Sequence, residues 1–309
     1  MSIPHENAVR GVPGPGLWFL SLRPFSFTAS IMPMMLALVL SFDAGIQWWI
    51  FICYFFAGLL LHAGTNVLND YYDFTNGIDG EGDIDPSHLL PRKLVSPRFM
   101  KISGHAYFVA GIAIGSLIGL ERGGAFVALG VGGAILAYLY TGARVSLKYI
   151  ALGDVLVFFL LGPAMVAMGA WALRGTVLLS DIWISLPMAF LVAAILHANN
   201  VRDIQSDRVA GVRTLAGLIG LTFSRHLMAV VLLMPFVLVG TLIVWGMLPI
   251  FSLISFLAIV PAARVLRTVY TGSEPSAFSD LTMRAAMIHL VFSMVFIASL
   301  LVSEFTGIG

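Results

Sequence analysis

Apolar positions along the chain run together for stretches of about 18 to 24 residues, the length that spans a bilayer core as a helix rising 1.5 Å per residue. These runs predict nine transmembrane helices, over residues 25–42, 46–68, 105–121, 124–141, 152–173, 182–200, 227–245, 248–270 and 285–303. Polar residues are confined to the gaps, and unevenly so. The gaps after the second, fourth, sixth and eighth runs hold almost every charged and amide side chain, while those on the other side are short and nearly featureless. The expected fold is an all-α membrane protein of about nine transmembrane helices. It is read as a single domain over 1–309, with an N-terminal segment 1–22 and a cap loop 74–104.

Composition decides what surrounds these runs. Of 309 residues, 59% are hydrophobic and 11% charged, whereas a soluble domain carries about 25% charged residues. No water-soluble sphere hides that much apolar surface, so a soluble protein is excluded and no nucleic-acid partner is expected. With the N-terminus inside, fifteen Lys and Arg fall in cytoplasmic segments and only Arg122 and Arg174 fall outside. The positive-inside rule then predicts a cytoplasmic N-terminus and an external C-terminus, and places the polar loops in the cytoplasm. Residues 1–13 lack the basic start and short apolar run of a cleavable signal, so the first span is expected to be retained. Cys53 is the only cysteine and forms no internal disulfide.

Two polar constellations carry the candidate chemistry. The first begins inside the second run and continues into the cap loop: Asn66, Asn69, Asp70, Asp73, Gly77 and Asp79. On a helix Asn66, Asn69 and Asp73 share one face, and Gly77 permits a turn that swings Asp79 back toward them. The second closes the sixth run, where Asn199, Asp203 and Asp207 recur every four residues with Asn200 beside them. Helix-end polar residues solvated at the interface would explain one such ladder. Two of the same Asn/Asp grammar on one side of the membrane point to function, because carboxylates there are costly without water, a partner or a cation. Oxygen ladders suit a hard divalent cation, and Mg²⁺ commonly takes one or two carboxylates, waters and substrate phosphates. Zinc is disfavoured, since neither His62 nor His197 has a second His or Cys at ligand spacing. Both are expected to be bundle-interior polar contacts.

A third group, Tyr138, Tyr140, Arg144, Lys148, Tyr149 and Asp154, surrounds the boundary of the fourth and fifth runs. Arg144 and Lys148 are candidate phosphate ligands, the first as a fork and the second as a point charge. Arg144 serves equally well as a topology-setting cation at the lipid headgroups. Arg202 either answers a diphosphate or balances the neighbouring carboxylates.

These residues resemble the UbiA-type superfamily of intramembrane aromatic prenyltransferases, and within it the menaquinone branch, the dihydroxynaphthoate prenyltransferases. The resemblance covers nearly the whole chain. It rests on the stretch from Arg23 to Pro33, on Asn69 to Asp73 with Gly77 and Asp79, on Tyr140-Thr141-Gly142 with Lys148-Tyr149 and Gly153-Asp154, and on Asn199 to Asp203 with Asp207 and Gly211 to Ala216. The ubiquinone branch usually places its last first-motif Asp where this chain has Gly77, so the spacing resembles the menaquinone branch and its animal vitamin K relatives. One departure is Val212, followed by Arg213, where that branch often has Lys after the glycine.

The resemblance implies nine helices around a cytoplasm-facing cavity with a lateral opening to lipid, in a cell membrane of bacterial or archaeal type. It implies two Mg²⁺ ions on the diphosphate of a prenyl donor, held by Asn69, Asp73, Asp79, Asn199, Asp203 and Asp207. Catalysis would rest on Asp73, Asp203, Asp207 and Lys148, and diphosphate binding on Arg144, Lys148, Arg202, Asn66 and Tyr140. Tyr71, Tyr72, Tyr140 or Tyr149 would shelter the allylic cation. The acceptor implied is 1,4-dihydroxy-2-naphthoate, with another aromatic or lipid acceptor as the alternative. A cation-coupled transporter is the rival from another class; its sites belong near mid-membrane in broken helices.

Overall fold

The computed structural model describes residues 13–78, 89–142, 146–272 and 275–307. Among them the only β pairing is a single bridge between Ile150 and Arg213. The helices are α1 (Pro15–Ser21), α2 (Pro24–Val39), α3 (Trp48–Thr75), α4 (Pro97–Leu117), α5 (Gly119–Thr141), α6 (Gly153–Arg174), α7 (Leu179–Arg202), α8 (Ile204–Ala210), α9 (Leu215–Val244), α10 (Ile250–Thr271) and α11 (Leu281–Thr306). Of the described helices, α3, α5, α6, α7, α9, α10 and the one containing α11 are long and apolar enough to cross a membrane. The pair α1 and α2, bent by 50°, makes an eighth if it is one span. The chain is an integral membrane protein. Each of the nine predicted runs is found as a helix, the third being α4, whose first turns carry Arg98, Lys101 and His105.

The ends differ where local chemistry outweighs hydropathy. α4 starts eight residues before the predicted run, because Pro97 fits the first helical turn and the Ser96 hydroxyl accepts from the Phe99 amide at 3.2 Å. The first two turns of α4 thus come out of the predicted cap loop. Likewise, Thr214 caps Gly217 at 3.2 Å and starts a first turn of α9 twelve residues early, set off from the rest of the helix by Gly220 at φ 73°. The N-terminal segment is also helical from Pro15, because Trp18 has somewhere to go: its indole donates to Tyr107 at 2.9 Å and its ring meets Phe99.

The core lies around α7, the most buried span. Met188, Leu191 and Val192 on α7 pack with Leu232 and Phe236 of α9 and Phe292 and Phe296 of α11. On the other flank α3 and α4 are pressed together, since a Cβ at Gly64 would lie 2.8 Å from Phe108 and one at Gly104 2.6 Å from Leu68. Such close approach of backbones is how membrane helices gain contact when lipid offers no hydrophobic drive. α5 is much less buried than α7, and the space it leaves toward α3 and α6 becomes the cavity described next. Both ladder-bearing helices, α3 and α7, run uninterrupted to the same end of the bundle.

Candidate active site

The first ladder is bound to the third polar group. Asn69 donates to Asp73 Oδ2 at 2.9 Å. Lys148 Nζ, from a short 3₁₀ turn at Leu147–Tyr149, donates to Asn69 Oδ1 at 2.5 Å and to both Asp73 oxygens at 2.7 Å. The Tyr149 hydroxyl also donates to Asp73, and Thr141 donates to Asn69 Oδ1 at 3.1 Å. Asp73 and Lys148 are largely buried, so each charge depends on the other. Asp70, one residue from Asn69, is turned away from this group by the 100° helical step and pairs with Arg23 at 2.5 Å.

The second ladder is not a straight one. α7 ends at Arg202, Asp203 takes φ −97° and ψ 7°, and α8 begins anew. Asn199, Asp203 and Asp207 therefore reach the same cavity from two helices rather than one face of one helix. Arg202 donates to both Asp203 oxygens at 2.7 Å and to Asn199 Oδ1 at 2.8 Å; in this structure it balances the carboxylates. Asn200 also lines that cavity, but its amide nitrogen donates to Asp154 Oδ2 at 2.9 Å beside His197, which sits between Asp154 and the Ser224 carbonyl. His62 lies against Ser26 and Ser30. His197 is a bundle-interior contact, as expected, while His62 makes its contacts in the wall of the cavity.

The two ladders end alike. Gly77 and Gly211 have φ near +74°. The amides of Ile78 and Val212 return to the Asp73 and Asp207 carbonyls at 2.9 and 2.8 Å. This is the helix stop that glycine favours, and it fixes one carboxylate of each ladder in the last turn of its helix.

One cavity of about 1870 Å³ joins the ladders. Asn66, Asn69, Asp73, Asn199, Asp203 and Asp207 line it, with Tyr140, Lys148, Tyr149 and Arg202. Tyr71 and Tyr72 are not among its lining residues; Tyr72 meets Tyr138 instead. Asn66 commits its amide nitrogen to the Leu22 carbonyl and Ser26 hydroxyl, tying α3 to the bend between α1 and α2. Asp79 and Arg144 lie outside the described residues, as do residues 79–88 of the cap loop. Sequence reasoning gave no role to Thr141 and Thr214, which bond Asn69 and Asp207; both stand inside the quoted motifs, the one signal that pointed to them.

The donor set fits a divalent cation that arrives with its substrate. Among the described residues no three His, Cys, Asp or Glu side chains form a metal cluster by themselves. Carboxylate and amide oxygens are what Mg²⁺ takes when phosphates complete its shell. Asp207 carries the electrostatic mark of such a place: burial, then the charge of Asp203, push its carboxyl up to about 6, against opposing help from Thr214 and Lys148. A raised carboxyl pKa means that the ion-free folded protein holds its proton more tightly than the unfolded chain. The cost to stability is fully present above about pH 6 and is relieved as pH falls through that value. The melting temperature of metal-free protein is expected to rise between pH 7.5 and 5.5, and Asp207→Asn to raise it at pH 7.5 and flatten the rise. A variant with the wild-type pH profile would remove Asp207 as the cause.

The family model for the UbiA prenyltransferase family matches residues 30–301. The human protein named UbiA prenyltransferase domain-containing protein 1 is 31% identical over 294 residues, 93% of this chain and 83% of its own. That name gives the family and not the dihydroxynaphthoate branch. Among solved structures, the apo form of a UbiA homologue from Aeropyrum pernix K1 superposes with a TM-score of 0.68 at 16% identity, over 92% of this chain and 98% of that one. A UbiA homologue from Archaeoglobus fulgidus, bound to DMAPP and Mg²⁺, gives 0.60 at 15% identity over 90% and 98%.

Proposed function

This chain belongs to the UbiA prenyltransferase family and is a prenyltransferase, and from that premise we propose that it moves a prenyl group from a Mg²⁺-bound prenyl diphosphate to an aromatic quinone precursor, 1,4-dihydroxy-2-naphthoate. The observation that carries this reading is the convergence of two Asn/Asp ladders on the polar end of one cavity that is otherwise apolar. The Archaeoglobus homologue, bound to DMAPP and Mg²⁺, supports the donor and the metal. The spacing from Asp73 to Gly77 and Asp79 supports the branch.

Asn69, Asp73 and Asp79 would hold the metal from one side and Asn199, Asp203 and Asp207 from the other. When bound, it supplies positive charge to the leaving diphosphate oxygens. Lys148 turns from Asp73 to the diphosphate once the carboxylate is otherwise occupied, and Arg202, Arg144 and Tyr140 complete the diphosphate's contacts; Asn66, whose two amide hydrogens are held by Leu22 and Ser26, joins them only by giving up one of those bonds. The allylic C–O bond breaks with its electron pair on the diphosphate. Tyr140 and Tyr149, the two candidate tyrosines in the cavity wall, face the cation with their π-electrons. A ring carbon of the acceptor then forms the new C–C bond, and its carboxylate leaves as carbon dioxide, returning its electron pair to the ring. The cap loop closes over the donor and brings Asp79 with it. The site and the N-terminus face the cytoplasm of a bacterial or archaeal-type membrane, and the C-terminus faces out. The transporter reading loses ground because both ladders gather at the ends of α3 and α7 and not in the middle of a span.

Purified protein, assayed with prenyl diphosphates against dihydroxynaphthoate, homogentisate and hydroxybenzoate, tests this. Prenylated naphthoquinol with matching carbon dioxide release is the expected result. Turnover of a different acceptor alone overturns the branch, and no diphosphate release with any acceptor overturns the whole reading.

A further inference from the structure

The outward stripe of α10 changes character once along its length. Ile250, Leu253, Leu257 and Val260 are exposed apolar residues three or four apart. Arg264 and Arg267 continue the stripe, also exposed, and lie opposite the buried Ala262, Val265 and Val269. Residues Ile250–Ala258 form a 3₁₀ helix, so at about 2.0 Å of rise per residue there and 1.5 Å beyond, Arg264 stands roughly 25 Å along the span. That is near the boundary of a bilayer core about 30 Å thick, from which a long cationic side chain reaches up to the lipid phosphates. The boundary belongs to the ladder side, since the turn that follows α10 supplies Ser276, which lines the cavity together with Ser279, Thr282 and Arg23.

Both neighbouring helices add charge at the same level. Arg225 of α9 donates from Nη2 to the Gly272 carbonyl at 2.6 Å, and Arg284 of α11 donates from Nη1 to the Thr268 hydroxyl at 3.2 Å, one turn from Arg264. Arg284 also pairs with Asp280 at 2.7 Å, whereas Arg264 and Arg267 form no ion pair among the described residues. Glu274 lies outside them. On the α9 flank Tyr270 meets His226 at 3.1 Å, an aromatic rim of the kind found at membrane interfaces. Cations that only set topology need no more than a place in a loop. Arg264 and Arg267 instead stand on the lipid-facing side of a span, in line with its apolar stripe.

We propose that the ladder-side end of α10 is a binding site for an anionic phospholipid, its phosphate taken by Arg264 and Arg284 with Arg267 at the rim, and its acyl chains laid along Val260 and Leu257. A soluble acidic partner would match the arginines but leave the apolar half of the stripe unused; a phospholipid matches both halves in the order in which they occur. The headgroup would rest against the end of α10, which leads directly into the turn bearing Ser276, so its binding should steady one wall of the cavity from outside. The proposal goes beyond the prenyl-transfer reading and does not depend on it.

The test places the full-length protein in nanodiscs of phosphatidylcholine, alone or with about 30 mol% phosphatidylglycerol, an anionic share of the order found in cell membranes. The melting temperature and the phospholipid that stays bound, counted by native mass spectrometry, are the readouts, and neither needs turnover. Wild type should melt higher with phosphatidylglycerol and retain it in preference to phosphatidylcholine. The double variant Arg264→Gln, Arg267→Gln should lower that preference about thirtyfold, roughly fivefold for each arginine near the membrane surface, and lose the melting shift. Arg98→Gln with Lys101→Gln, which removes equal charge from exposed positions on α4, should keep both. Equal retention of the two lipids by wild type overturns the site, and so does a loss in the α4 variant as large as that in the α10 variant. Glycerol phosphate added to phosphatidylcholine discs should not reproduce the melting shift; if it does, the site takes a free anion and the lipid assignment falls. Should the double variant fail to assemble, the single variant Arg264→Gln decides, and an unchanged lipid preference there overturns the proposal.

Discussion

With a chelator in the assay, product formation should fall below detection and return on addition of Mg²⁺. The donor set explains why the loss should be complete. Apart from its substrate the site offers, among the described residues, Asp203 and Asp207 on one side, the first engaged by Arg202, and Asp73 on the other, engaged by Lys148 and Tyr149. No described cluster of three His, Cys, Asp or Glu holds an ion alone. Metal and diphosphate are therefore expected to bind as one unit. Mg²⁺ alone should shift the melting temperature little, and so should a non-hydrolysable prenyl diphosphate analogue alone. Together they should raise it clearly, since a ligand at a hundred times its Kd stabilises by about 2.7 kcal/mol. Full turnover after exhaustive chelation would sink the metal assignment. A large shift with Mg²⁺ alone would show that the protein builds a site the ladders do not account for.

The spans were legible because their signal is local: a run of apolar residues long enough to cross a bilayer says so wherever it lies. The ladders were legible for a related reason, since helical spacing places Asn69 with Asp73 before any partner is known. What escaped was pairing across distance. That Lys148 bridges Asn69 and Asp73, some 75 residues away, follows from how α5 and α6 pack against α3, which no window of sequence contains. The break at Asp203 escaped too, because four-residue recurrence from Asn199 to Asp207 reads as one helix whether or not the chain turns in the middle. Helix starts were misplaced where a serine or threonine cap lay outside the apolar run, as at Ser96 and Thr214. Which residues line the apolar depth of the cavity could not be read: Gly132 and Gly133 look like any small residues of a membrane helix until the space beside them is seen to be open.

Asp73→Asn and Asp203→Asn should each lower kcat/KM by roughly 10³-fold or more, the scale of losing a preorganised electrostatic contact to a developing charge, while leaving the protein assembled. The alanine variants separate the two residues further. Asp73 is the buried partner of Lys148, so Asp73→Ala strands a buried cation beside Asn69. Removing one member of a buried pair costs about 3–5 kcal/mol. Asn at that position keeps an oxygen for Lys148 to donate to and should keep most of the stability, though not the activity. Asp203 and Arg202 are each about a quarter exposed, at 28% and 27%, so solvent screens the loss and Asp203→Ala should stay folded. It should also withdraw one of the three influences that raise the Asp207 pKa, leaving burial and the charge of Asp73. Asp70 supplies the control. It neighbours Asn69 in sequence but pairs with Arg23 at the bend between α1 and α2, so Asp70→Asn should lower the melting temperature without changing the Mg²⁺ dependence. If Asp73→Asn retained near-normal turnover while Asp70→Asn raised the Mg²⁺ requirement, the ladder would have been assigned to the wrong face of α3.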